Sequence, residues 1–146
     1  MYSSEDVLRG RKFKKLIEME YEGFRKEYNL KQIDVEVLAY LAKNQGSTAC
    51  MISKNLDLHK GQLSESLRHL ASLKFIRERQ DKEDHRYVHY ELTPKAQPLE
   101  NKVMDCRSQI HEKIWKGFTD EELQETRRLL GKLYGNIEDL LGQYEA

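Results

Sequence analysis

This chain of 146 residues has only two cysteines, two prolines and one tryptophan, and its charges of either sign balance. The two thiols, Cys50 and Cys106, form no CxxC pair, which excludes a disulfide framework and any cysteine-rich zinc module. No apolar run approaches the roughly 18 residues of a membrane span, and the opening MYSSEDVLRGRKFKK has no apolar signal core. The sequence therefore reads as cytoplasmic, with no membrane partner. There is no Gly-rich phosphate loop, GxSxG, HExxH or acid pair spaced for general acid and base roles, so no catalytic residue, enzyme activity or cofactor is expected. His85 and His89 share a strand face, but their backbones would stand about 13 Å apart, too far for one zinc. A solvated or phosphate-facing role is expected for both, and no metal site.

What is present is charge and helical periodicity. Hydrophobic residues make up 38% and charged residues 34%, the balance of a charge-coated helical protein, and the length suits one domain spanning residues 1–146. Lys and Arg number 25, as do Asp and Glu, but they are unevenly placed. Residues 54–95 hold nine basic against seven acidic side chains and four of the five histidines, whereas residues 96–146 hold seven against ten. A mildly basic middle permits anion binding without proving it.

Phe13, Leu16, Ile17, Phe24 and Tyr28 recur at helical spacing and predict one long first helix from Val7 to Tyr28. Asn29 then reads as the cap of a second helix, with Gln32 reaching back, that runs to about Ala42. Ser47 or Thr48 caps a short third helix through Asn55. A fourth, from about Lys60 to Leu73, carries the seam Leu63, Leu67 and Leu70, with Gly61, Glu65, Arg68 and Ser72 opposite and Gln62, Ser64 and His69 on its flanks. The period then drops to 2, and Phe75–Gln80 and Arg86–Leu92 predict a hairpin with a charged tip. Thr93-Pro94 opens a fifth helix toward Trp115. Thr119 to Glu122 form a capping box for a sixth, whose Leu123, Leu130, Leu133, Ile137, Leu140 and Tyr144 make a coiled-coil-like seam.

A short helix followed after about four residues by an amphipathic one is the helix-turn-helix arrangement, although a plain helical bundle with a hairpin would give the same order. The residues of the hairpin separate the two. Asp84-x-Arg86, with Leu92-Thr93 downstream, resembles the wing signature of the MarR family of transcription regulators. Ile52 to Leu70 and Phe75 to Arg79 resemble that family's helix-turn-helix and first wing strand. The resemblance extends over nearly the whole chain and implies a mainly α fold with a small β-hairpin. In it, residues 30–93 would form a winged helix-turn-helix DNA-binding lobe, and residues 1–29 and 94–146 would be dimerisation helices. It also implies a homodimer on pseudo-palindromic double-stranded DNA, acting as a repressor relieved by a small ligand or a redox signal.

Carried to single residues, the resemblance makes Arg86 the wing arginine of the minor groove and Asp84 the acid that orients the wing. A surface salt bridge from Arg86 to Asp81 or Asp84 is the competing role. The chemistry of the fourth helix adds Gln62, which can pair bidentately with adenine, and Ser64, which can reach a base or a phosphate. Lys60 and Arg68 suit phosphate or guanine. Glu65 departs from the arginine many members carry and could accept from cytosine, and Gly61 replaces a small hydroxyl residue. These departures keep open a second class, a dimeric helical interaction module that has lost specific DNA binding. Tyr21, Phe24, Tyr40 and Trp115 are candidates for the pocket of a small lipophilic or phenolic effector that the resemblance implies. Most of them serve equally as core. Cys50, in the first turn of the third helix, is the thiol better placed for oxidation.

Overall fold

The computed structural model describes residues 4–145. Its helices are α1 (Ser4–Glu20), α2 (Glu22–Tyr28), α3 (Gln32–Lys43), α4 (Ala49–Leu56), α5 (Lys60–Ser72), α6 (Gln97–Ile114) and α7 (Asp120–Glu145), and its strands β1 (Ser47–Thr48), β2 (Ile76–Gln80) and β3 (Val88–Leu92). The fold is mainly helical, with one small antiparallel sheet in the order β1-β3-β2. It packs as two compact units divided between Ile110 and His111.

In the first unit the core is the convergence of the apolar faces of α3, α4, α5 and the start of α6. Val37, Leu41, Ile52, Leu63, Leu70 and Leu99 are almost wholly buried there. The seam Leu63, Leu67 and Leu70 faces inward as its spacing requires, and Gly61, Glu65, Arg68 and Ser72 on the opposite side are exposed. The turn between α4 and α5 passes through Asp57, which is left-handed (φ 52°). Ser53 fastens it twice, its hydroxyl donating to the Leu58 carbonyl at 2.7 Å and its carbonyl accepting from the Leu58 amide at 3.0 Å.

Several boundaries differ from the sequence reading. The first helix is two, broken at Tyr21, which is itself buried. Asn29 does not begin a helix: it ends α2 in the left-handed region (φ 55°), its amide bonded back to Arg25 and Lys26. Asparagine suits both roles, because its short polar side chain tolerates positive φ as well as capping free amides. The cap of α3 is Lys31, whose amide donates to the Asp34 carboxylate at 2.8 Å. Thr48 caps α4 through the Met51 amide, and Ser47-Thr48 also pair with Tyr90 and His89 as a strand absent from the sequence reading. Gly46 takes the positive φ (84°) that the turn into β1 needs.

In the second unit, Trp115 packs against His111 and Phe118, with ring centroids 6.0 and 5.1 Å apart. The Thr119 capping box forms as expected: the Thr119 amide donates to Glu122 at 2.9 Å and the Glu122 amide to the Thr119 hydroxyl at 3.1 Å. Among the described residues α7 buries nothing fully. Leu123 and Leu130 are half-buried, while Leu133, Ile137, Leu140 and Tyr144 are exposed together with Leu129, Tyr134 and Leu141.

Candidate nucleic-acid interface

Helix α5 offers a row of polar side chains that the fold leaves free. Lys60, Gln62, Ser64 and Arg68 are exposed and make no hydrogen bond or ion pair among the described residues. Gly61 has open space where a Cβ would stand. Glu65 is not free: Lys31 Nζ lies 3.1 Å from its Oε1, so the acid that would repel a phosphate carries its own counter-charge. A groove of about 780 Å³ runs between this side of α5 and the segment that starts α3, with Lys31, Gln62, Glu65, Arg68 and His69 in its walls.

The helix itself is held by one polar bond in the core as well as by its leucines. Asp34 is only 2% exposed, yet both its oxygens are used: one accepts from the Lys31 amide and the other from the Ser66 hydroxyl at 2.6 Å. The start of α3 is thus locked to the middle of α5. Sequence reasoning missed this pair. An acid three residues into a helix is a capping signal, but its second partner lies 32 residues away.

Ile76 buries the base of the wing, and polar bonds hold its tip. Asp81 Oδ1 accepts from the Glu83 and Asp84 amides at 2.9 and 3.0 Å, forming an Asx turn at the tip. Its carboxyl is lowered to about 2, chiefly by the Asp84 amide and then by His89. Asp84 in turn accepts from the Arg86 amide at 3.1 Å and grips the guanidinium, with Nη2 to Oδ2 at 2.7 Å and Nε to Oδ1 at 3.0 Å. That grip lowers the Asp84 carboxyl and raises the Arg86 guanidinium. The ion pair and the outward-facing arginine are therefore one arrangement, because the Arg86 side chain remains 85% exposed while bound to Asp84.

On the sheet, Glu91 receives Arg79 at 2.9 Å and Arg77 at 3.4 Å, which keeps two more cations beside the wing. Thr93 closes the base of the hairpin: its amide donates to the Phe75 carbonyl at 2.9 Å and its hydroxyl to that of Lys74 at 2.6 Å. His89, expected to be solvated or to face phosphate, instead bridges the Gly46 carbonyl and the Asp81 carboxylate. His85 is exposed at the tip.

The four effector candidates are divided between the two units. Tyr21 and Phe24 meet edge to face in the first unit at 6.4 Å, Tyr40 accepts from the Asn55 amide, and Trp115 belongs to the second unit. A small apolar cavity of about 40 Å³ lies between α3, β3 and α6, walled by Leu38, Leu92, Val103 and Met104. None of the four aromatics lines either concavity. Cys50 is exposed and Cys106 half-buried. Among the described residues no group of three or more His, Cys, Asp or Glu could hold a metal, and no helix is long and apolar enough to cross a membrane.

An exposed polar face on a buried-seam helix beside a β-hairpin is the winged helix-turn-helix arrangement. Residues 30–96 match the family model for a winged helix DNA-binding domain. Taken whole, the chain has the fold of the MarR-family transcription regulators. It is similar to a MarR protein from Peptoclostridium difficile at 22% identity, with a TM-score of 0.84 over 95% of this chain and 91% of that one. It is similar to FabT of Streptococcus pneumoniae, solved in complex with DNA, at 23% identity and a TM-score of 0.77 over 92% and 96%. A SlyA-like transcription regulator from Listeria monocytogenes gives 22% and 0.79 over 95% and 91%. No curated protein matches the sequence.

Proposed function

We propose that this protein is a MarR-family transcription regulator that binds a pseudo-palindromic DNA site as a homodimer. The observation that carries the reading is the pairing of two exposed elements in one unit. Lys60, Gln62, Ser64 and Arg68 stand unpartnered on α5, and Arg86 is held outward on the wing. An α-helix fits the major groove, where Gln62 can address adenine and Arg68 guanine or phosphate, while a guanidinium suits the negative potential of a narrow minor groove. The DNA complex of the similar FabT fold supports the same use. The exposed seam of α7 supports the homodimer, since Leu133, Ile137 and Leu140 would otherwise remain in water. In this reading residues 1–29 and 94–146 join two chains and residues 30–93 read DNA, repressing until a small ligand or oxidation intervenes.

Fluorescence anisotropy tests the reading, with DNA from upstream of the protein's own gene against a scrambled duplex across a salt series. Wild type should prefer one duplex by at least about tenfold, and Arg86→Ala should weaken binding with a salt slope shallower by about one. Sedimentation should show two chains per particle. If both duplexes bind equally weakly and selection from random duplexes enriches no sequence, the protein is instead a helical interaction module.

A further inference from the structure

His89 lies on β3 opposite Thr48 of β1 and Arg79 of β2. Each of its ring nitrogens meets an acceptor, Nδ1 at 2.7 Å from the Gly46 carbonyl and Nε2 at 2.8 Å from Asp81 Oδ2. Neither an amide carbonyl nor an ionised carboxylate has a proton to give. A neutral imidazole has one N–H and satisfies one of them, whereas the imidazolium donates to both. Beyond His89 the bonds continue without a gap: Asp81 fixes the amides of residues 83 and 84, and Asp84 fixes Arg86.

We propose that His89 is a positioning residue of the wing: as the imidazolium it ties the tip that presents Arg86 to the turn before α4, and losing its proton releases that tip. The clamp is a property of the free protein; its consequence for DNA rests on the function proposed above. The groups around the ring favour the charged form on balance. The Gly46 carbonyl and then Asp81 raise its pKa, against partial burial and the Arg79 charge. Arg79 is itself engaged by Glu91, while β1 brings only Thr48 to this register. Because the folded value is raised, the clamp is complete below the ordinary histidine value and is lost as pH rises through the folded one.

The test uses the full chain, first without DNA. Nitrogen-15 spectra of the imidazole should show both ring nitrogens protonated at pH 6, and amide protection at residues 83, 84 and 86 should fall about fivefold by pH 8.5, the scale of one hydrogen bond. In His89→Gln that protection should not change with pH. With DNA, wild-type affinity should fall by a similar factor over the same range, and this fall should vanish in an Arg86→Ala background, as coupling through the wing requires. A neutral ring at pH 6, or the same protection change in His89→Gln, overturns the proposal. If protection follows His89 while no protein prefers any DNA at any pH, the clamp stands and the DNA reading falls. The wild-type nitrogen spectra decide the protonation state even if His89→Gln folds poorly.

Discussion

Helix α5 and the wing both present side chains to solvent but are held in place by opposite means. Helix α5 is rigid because Leu63, Leu67 and Leu70 are buried, and its outward Lys60, Gln62, Ser64 and Arg68 are left loose. The wing buries almost nothing at its tip and is rigid because Asp81, Asp84 and His89 spend their hydrogen bonds on it, down to the outward arginine. Apolar burial neither titrates nor is weakened by ionic screening. A polar lattice at the surface is sensitive to both. One half of the site therefore answers to denaturant and the other to protons.

The largest effect should come from emptying the helix's anchor. Leu70→Ala should cost about 2–5 kcal/mol of unfolding free energy, read by urea titration, and leave wing protection unchanged while the protein remains folded. A loss under about 1 kcal/mol would show that α5 is held chiefly by polar bonds, and the contrast with the wing would collapse. Next is the one polar lock on the helix side. Asp34→Ala leaves the buried Ser66 hydroxyl without its acceptor and the Lys31 amide uncapped, and should cost about 1–3 kcal/mol, with Asp34→Asn recovering part by keeping the serine bond. Equal losses for the two variants would place the whole effect on the α3 cap.

The smallest effect lies at acid pH. The Asp81 carboxyl titrates near 2 in the fold, below the ordinary 3.8, so its contribution is complete above the ordinary value and disappears as pH falls through the folded one. Amide protection at Glu83 and Asp84 should therefore fall between pH 4 and 2, ahead of that in α5, in hydrogen-exchange measurements. Simultaneous loss in both elements would mean that the wing has no separate stability.

Hydrophobic period made the helical order and the α5 seam legible in the sequence, because the same leucines that set the spacing fill the core. The Thr119–Glu122 box was legible because all its partners lie within four residues. Asn29 was misread since one residue type serves at either end of a helix, and the Tyr21 break leaves no mark in an uninterrupted helical spacing. Strand β1 is too short to have a period. The exposed face of α5 and Arg86 were visible as residue types, but what holds them was not. Gly46 and His89 are 43 residues apart, and Lys31 and Glu65 are 34 apart. Such contacts exist only once the chain has folded.

The grip of Asp84 on Arg86 has a thermodynamic consequence of its own. A free arginine side chain carries about 2 kcal/mol of rotamer entropy, which an anion must overcome before it is held. Here much of that freedom is surrendered on folding, well before any partner arrives. What an incoming anion must do instead is share the guanidinium with a carboxylate already in place. Arg86 is thus suited to fast, reversible contact more than to a tight hold: ordered in advance, and never without a competitor.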